Sequence, residues 1–334
     1  MIIGVRGQSL EQFVQHLAHR SPVVHGFRDE RLIPPSARHR ARASRRLAAV
    51  SGTGVDANLL RAELERAVAI ALAEDLGSGD VTALATVPEG TTATARVVQK
   101  EPGVLSGLDC AVHALKVSDP DVQVELLAST GVWREGGPVL EARGDARALL
   151  AAERTALNFL QQLGGVATLT AECVREVEGT GAKIIDTRKT VPGLRHLQKR
   201  AVLDGGGANH RIGLFDMVLI KENHAAVAGG ITKAIERARE LAPDLPLECE
   251  VRDLAELDEA LTAGAPRVLL DNMDVNTLRE AVERARGNAV TEASGGLEIG
   301  KLRQVAETGV DLLSLGSLTH SFKALDLSML IELH

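Results

Sequence analysis

Aromatic side chains are almost missing from this chain. Its 334 residues include five Phe, one Trp (Trp133) and no Tyr, 2% in all. A core must therefore be built from Leu, Val, Ile and Ala, and base stacking on aromatic faces, the usual grip on single-stranded nucleic acid, has almost nothing to work with. The formal net charge of -7 argues the same way, since duplex binding draws on a basic surface. Cysteine is scarce as well. Cys110, Cys173 and Cys249 are far apart and form neither a CxxC pair nor a Cys/His zinc spacing, which points to reduced thiols in a cytoplasmic protein. There is no apolar run of about 18 residues, so no membrane span is expected. GxGxxG after a strand, GxSxG and HExxH are all absent, which removes the standard dinucleotide, serine-hydrolase and zincin readings.

What is present is unevenly spread. Residues 1–50 carry nine Arg, no Lys and three acids, a charge of +6, leaving -13 on the remainder. With no apolar period, residues 1–54 are expected to be a disordered or marginally helical extension, and removing residues 1–50 is expected to leave catalysis intact. From Asn58 to Leu76, Leu59, Leu60, Leu64, Val68 and Leu72 recur at helical spacing. Strands are expected at 93–100, 122–128 and 138–142, followed by a helix from Ala146 to Leu163 that stops at Gly164-Gly165. Residues 55–164 thus read as a small domain of one sheet with covering helices.

Past Gly165 the pattern changes. Short apolar runs at 183–187, 217–221, 247–251, 267–271, 289–293 and 311–315 alternate with helical stretches at 230–241, 253–263, 274–286 and 299–308. Gly264, Gly287 and Gly309 each close a helix ahead of the next strand. Such alternation means parallel βα units. The strands end in Asp186 with Arg188, Lys221, Glu248 with Glu250, Asp271, Glu292 with Ser294, and Gly316 with Ser317. Polar groups at successive strand C-termini describe the active face of a TIM-type barrel, and an open doubly wound sheet is the alternative. With six strands in place of eight, residues 165–321 are expected to form an incomplete barrel.

The acidic protein also contains a cationic stretch. Residues 186–224 hold seven Lys/Arg against four Asp/Glu, with His196, His210 and His224 among them. A solvated basic helix face is the plain reading, but these cations also sit at strand ends and around Gly205-Gly206-Gly207, as a pocket for a small polyanion requires. Glu250 and Asp271 add carboxylates suited to a sugar diol or to Mg²⁺ held partly through water. Glycine loops follow the last two strands, Ser294-Gly295-Gly296 before a helix expected near Glu298 and then Gly316, where barrels often bind phosphate. Glu250 and Asp271 alone would also allow glycosidase chemistry, although so many cations would have no use on a neutral sugar.

These residues resemble a known family. Lys199–Leu214 with Leu219–His224, Asp186–Arg195, Glu153-Arg154-Thr155, Leu269–Asn272, Glu292–Gly296, Gly316–Ser321 and Glu74–Asp80 are similar, in order, to motifs of the quinolinate phosphoribosyltransferases, over about residues 56–334. The resemblance implies an α/β fold, with an N-terminal α/β sandwich domain, onto which residues 322–334 pack back, and a C-terminal incomplete TIM-like barrel. It implies phosphoribosyl transfer from 5-phosphoribosyl-1-pyrophosphate (PRPP) to quinolinate with decarboxylation, giving nicotinate mononucleotide, pyrophosphate and CO₂. It implies Mg²⁺ with no organic cofactor, and at least a homodimer, with a hexamer as the larger option. Arg188, His210 and Arg211 would hold the quinolinate carboxylates, and Lys189, Arg195 and Lys221 would serve quinolinate or the phosphates. Glu250 and Asp271 would take the ribose hydroxyls and Mg²⁺, while Ser294, Gly295, Gly296 and Gly316 would take the 5′-phosphate. Lys189, Glu250 and Asp271 would act in catalysis, and Arg154 would come from the neighbouring subunit. A relative acting on nicotinate without decarboxylation, or a non-catalytic binder of pyridine carboxylates, are the competing readings, and CO₂ release separates the first.

Overall fold

Asp56 caps the first helix described, its carboxylate accepting from the amides of Asn58 and Leu59. The computed structural model describes residues 55–334, and the Arg-rich segment 1–54 lies outside the described residues. Helix α1 (Ala57–Leu76) buries Leu64, Val68 and Leu72 as their spacing predicts. Leu59 is exposed instead, and the buried polar position is Glu63.

Asp80 caps α2 (Val81–Thr86), and β1 (Thr92–Gln99), β2 (Gly103–Val104), α3 (Leu108–Ser118), β3 (Gln123–Leu126), β4 (Trp133–Arg134) and β5 (Gly137–Asp145) follow. Helix α4 (Ala146–Glu176), capped by Asp145, runs 31 residues. The expected stop at Gly164-Gly165 does not occur. Both glycines lie buried inside the helix, where the chain's C-terminal segment crosses it. A Cβ on Gly164 would meet Leu325 Cδ2 at 3.0 Å, and one on Gly165 would collide with the Lys323 carbonyl oxygen. The pair therefore marks a close crossing.

The second half runs β6 (Lys183–Ile185), α5 (Arg195–Asp204), β7 (Val218–Ile220), α6 (Glu222–Ala228), α7 (Ile231–Leu241), β8 (Leu247–Val251), α8 (Leu254–Thr262), β9 (Arg267–Asp271), α9 (Val275–Ala285), β10 (Val290–Ser294), α10 (Leu302–Ala306), β11 (Leu312–Ser314), α11 (Ser317–His320) and β12 (Leu327–Leu333). All six expected strands form one parallel sheet in the order β6-β11-β10-β9-β8-β7. β6 pairs with β11, while β6 and β7 do not pair, which leaves the ring incomplete on that side. Gly264, Gly287 and Gly309 all take positive φ, near 80–90°, as helix-ending glycines do. α10 starts at Leu302, later than the glycine loop suggests, with Glu176 from the end of α4 accepting the Leu302 and Arg303 amides.

A separate four-stranded antiparallel sheet has the order β12-β1-β5-β3, so the C-terminal strand pairs with β1. Helix α5 packs on α1 and α4. There Glu63 accepts the Leu197 amide at 2.9 Å and meets His196 Nδ1 at 2.8 Å, capping the helix within the cationic stretch. The scarce aromatics leave a core of Leu, Val, Ile and Ala, with Cys110, Cys173 and Cys249 buried and unpaired in it. Burial pushes the Cys173 and Cys249 thiols up to about 12, so they stay protonated. No helix among the described residues is long and apolar enough to cross a membrane.

Candidate active site

Each barrel strand delivers side chains at a different depth, because residues i and i+2 share a face but not a level. On β8, Glu248 is buried and Glu250 stands nearer the mouth. Glu250 pairs in register with Leu269, which pairs with Glu292, and Asp271 pairs with Ser294 one step higher. Glu248 and Glu292, expected at the rim, are both fully buried. Between them sits Arg267, whose Nε donates to Glu248 Oε1 at 2.9 Å and whose Nη2 donates to Glu292 Oε2. Burial alone would push the Glu248 carboxyl up, but Arg267, with His210 and Glu292 adding to it, overrides this and holds it at about 2. Burial and the Glu248 charge push Glu292 up instead.

The cationic stretch divides by burial. Lys199 is fully buried against Asp186, also fully buried, and its Nζ donates to the His210 carbonyl at 2.9 Å as well. Asp186 further accepts from Asn209 Nδ2 at 2.6 Å and from the His210 amide at 2.9 Å. Burial opposes the charge on both partners, pushing Asp186 up and Lys199 down, so these hydrogen bonds are what make the pair tolerable. Arg200 pairs with Asp204 on its own helix. Arg195 spends its guanidinium on Thr190 Oγ1 (3.1 Å), Ile212 O (3.2 Å) and Arg188 O (3.4 Å), tying two loops together. These three cations are part of the frame.

Arg188, Lys189, Arg211 and Lys221 remain. Among the described residues, Arg188, Lys189 and Arg211 have no carboxylate within ion-pair distance. Arg188 is half-buried, and its Nε is buried with no hydrogen-bond partner. Arg211 is buried, with one guanidinium nitrogen donating to Met217 O at 3.2 Å. Burial and then the neighbouring Arg188 charge pull the Arg211 pKa down. Two guanidinium groups close enough to repel, one with an unused donor, mark a place that an anion would stabilise.

Lys189 is exposed and lies across Gly316, where a Cβ would meet Lys189 Cδ at 2.8 Å and His320 Nε2 at 3.0 Å. Thr319 Oγ1 donates to Lys189 O at 2.9 Å, and Gln198 bridges Val191 N and Thr319 O. The 187–195 loop is therefore fastened to the loop after β11. Across the mouth, Lys221 Nζ donates to Glu250 Oε2 at 2.9 Å. Asp271 accepts from Asn272 Nδ2 at 2.9 Å. Asn272 is the one non-glycine residue with positive φ among the described residues, at 54°. Its amide donates to Ser294 O at 2.9 Å, and its side chain packs where a Cβ on Gly295 would stand. Gly295 and Gly296 have φ of 85° and 59°, open only to glycine at low cost.

The structure thus gathers Arg188, Lys189, Arg211, Lys221, Glu250, Asp271, Ser294 and the glycines at the strand C-termini. His210 lies deeper, its Nδ1 accepting from the Arg211 amide and its Nε2 3.0 Å from Glu248 Oε2. Arg154 is exposed on α4 and hydrogen-bonds to none of the other expected site residues. Sequence reasoning missed Asn272, Thr319 and Gln198 as residues that hold the site. Only Asn272 carries a signal, being a residue that tolerates positive φ, placed directly after a strand. A groove of about 650 Å³ lined by Ser106, Leu126, Arg200 and Asp204 shares no residue with this cluster, so charge marks the site better than volume does.

The family model described as "Quinolinate phosphoribosyl transferase, C-terminal domain" matches residues 166–330, and its N-terminal counterpart matches residues 80–164. A nicotinate-nucleotide pyrophosphorylase [carboxylating] of Mycobacterium leprae is 46% identical over 266 residues, covering 78% of this chain and 94% of that protein. The chain belongs to the quinolinate phosphoribosyltransferase family. A chloroplastic nicotinate-nucleotide pyrophosphorylase [carboxylating] of rice is 44% identical over 291 residues, covering 81% of this chain and 78% of its own length. The solved structure of the Francisella tularensis nicotinate-nucleotide pyrophosphorylase is 41% identical with a TM-score of 0.79, covering 81% of this chain and 96% of that one.

Proposed function

We propose that this enzyme transfers phosphoribosyl from PRPP to quinolinate with loss of CO₂, giving nicotinate mononucleotide and pyrophosphate for pyridine-nucleotide synthesis. The observation that carries this is the Arg188–Arg211 pair, two mutually repelling guanidinium groups at the mouth of a barrel whose other wall is Glu250 and Asp271. Two adjacent carboxylates on a planar ring match two such forks better than one carboxylate does. Lys221 serves the same substrate, and Arg195 fixes the loop that presents Arg188. Ser294, Gly295, Gly296 and Gly316 take the 5′-phosphate.

The carboxylates of Glu250 and Asp271 are hard oxygen donors on adjacent strands, a set that fits Mg²⁺ bound through water and substrate phosphates. When bound, the ion neutralises the leaving pyrophosphate. Within the chain, Glu250 and Asp271 favour the positive charge that develops on the ribose as the ring nitrogen attacks, and Lys189 attracts the departing pyrophosphate. The pyridinium that forms then stabilises the electron pair left on C2 as that carboxylate leaves as CO₂, and a proton from water takes the vacated position. No covalent intermediate with the enzyme is required.

The reading also takes the enzyme to be a homodimer or a larger assembly such as a hexamer, with Arg154 of one subunit completing the site of the next. It places the reaction in the cytoplasm, in keeping with three unpaired thiols. Mass spectrometry of a mixture of the protein, quinolinate, PRPP and Mg²⁺ tests it. Nicotinate mononucleotide is the expected product, and unchanged quinolinate would overturn the proposal.

A further inference from the structure

The turn from Lys189 to Gly193 is exposed apart from half-buried Thr190, yet it carries a lysine that the proposed reaction sets against PRPP. Two buried side chains reach out to hold it. Gln198, on α5, is 2% exposed, and Thr319, on α11, is wholly buried. Thr319 Oγ1 donates to Lys189 O at 2.9 Å, nearer than its other acceptor, Gly316 O, at 3.3 Å. Gln198 Oε1 accepts from Val191 N at 2.8 Å, while its Nε2 donates to Thr319 O at 3.0 Å. Among the described residues, these are the hydrogen bonds that join the turn, directly or through one side chain, to the segment after β11. They close a circuit that runs from Lys189 to Thr319, on to Gln198 and Val191, and back along the main chain. A buried polar circuit with its bonds made holds one geometry, because any shift would leave a buried donor or acceptor unpaired.

The segments so joined serve opposite ends of one molecule. Gly316, just ahead of Thr319 in the same turn, belongs to the loops that take the 5′-phosphate, and Lys189 faces the pyrophosphate on C1 of the same ribose. The Lys189 stem lies against Gly316, where a Cβ would stand 2.8 Å from Lys189 Cδ. Arg188, next in the chain, is held by other means. Arg195 donates to the Arg188 carbonyl at 3.4 Å, and Lys189 N donates to Thr187 Oγ1 at 3.0 Å. The quinolinate arginine and the PRPP lysine therefore share a loop but not a tether.

We infer that Thr319 and Gln198 are positioning residues for PRPP, a brace that fixes the separation between the 5′-phosphate loop and Lys189 without touching the substrate. The inference rests on the proposed function for the ligand and for the role of Lys189. A ligand gripped at two points gains from the second grip only when the spacing is already set; otherwise part of the binding energy goes into ordering the turn. Loss of the brace therefore weakens the whole molecule more than its parts. Ribose 5-phosphate and pyrophosphate each take one end and are indifferent to the spacing.

The test is steady-state kinetics on the full-length enzyme at saturating Mg²⁺, with Trp133 fluorescence to confirm folding. It reads separate KM values for PRPP and quinolinate, and the inhibition constants of ribose 5-phosphate and of pyrophosphate against PRPP. Thr319→Val keeps the branched shape and removes the hydroxyl. It is expected to raise the PRPP KM about tenfold, a step of about 1.4 kcal/mol, and to change the quinolinate KM and both inhibition constants less than twofold. Thr319→Ser restores the donor and is expected to bring the PRPP KM back to within about threefold of wild type. Gln198→Leu is expected to raise the PRPP KM about fivefold. The double variant should add less than about twofold to Thr319→Val, since opening the circuit at either bond already frees the turn.

A PRPP KM within twofold of wild type in Thr319→Val overturns the inference. Equal KM rises for both substrates, as general loosening requires, overturn it too. So do inhibition constants that rise as far as the PRPP KM, as damage to one end of the site requires, and effects that multiply in the double variant. Should Thr319→Val fail to fold, Gln198→Leu decides by the same comparison of KM values and inhibition constants. Wild-type turnover is measured first: its absence refutes the proposed function, whereas turnover with the wrong variant pattern refutes the brace alone.

Discussion

Arg188 and Lys221 differ from the other cations of the 186–224 stretch in what they leave unspent. Arg188 has a buried donor without a partner, and Lys221 has only the exposed-side contact to Glu250. Replacing either by Ala is expected to lower kcat/KM on the order of 10²-fold, equivalent to ~3 kcal/mol of transition-state stabilisation, and near wild-type turnover in both would remove them from the site. Lys199 belongs to the opposite class. Lys199→Met strands Asp186 in the interior and frees the His210 carbonyl, and breaking such a pair from one side costs about 3–5 kcal/mol, which a denaturant midpoint measures. Charge type and position along each strand were readable from the sequence. Depth was not: Lys199 and Lys189 look alike on paper, and Glu248 and Glu250 share a face two residues apart, yet one of each is buried and the other stands near or at the surface. Depth depends on how far each strand rises in the barrel, which its neighbours set.

Among the elements, the six barrel strands and most of their helices were legible because alternation and helix-ending glycines repeat at each unit. Helix α4 was not, since a glycine pair after a periodic run reads as a stop. What keeps it helical is tertiary: Leu325 and the Lys323 carbonyl occupy the room that side chains at 164 and 165 would take. The two positions should therefore differ on substitution. Gly165→Ala presses on a backbone oxygen and is expected to cost at least ~1–3 kcal/mol, while Gly164→Ala meets a Leu methyl that can move, and costs less. Thermal unfolding followed by circular dichroism compares them; equal midpoints would contradict the crossing. The caps from Glu63 to α5 and from Glu176 to α10 were equally invisible, each joining residues more than a hundred positions apart.

At the scale of the whole molecule, a ring open between β6 and β7 carries its cations on the segment that spans the opening, and Arg154 stands exposed on α4 outside that group. The proposed assembly gives Arg154 its use. Mixing an Arg154→Ala enzyme with a Lys221→Ala enzyme under conditions of subunit exchange is expected to recover activity that neither shows alone, because some sites then combine an intact arginine with an intact barrel. No recovery after demonstrated exchange would confine each site to a single chain. The most direct test of the proposed function uses quinolinate labelled with ¹³C in the carboxyl at ring position 2. Release of ¹³CO₂ matching nicotinate mononucleotide formation, and requiring PRPP, is the predicted result. A phosphoribosylated product that keeps its label, or label release without PRPP, would contradict it.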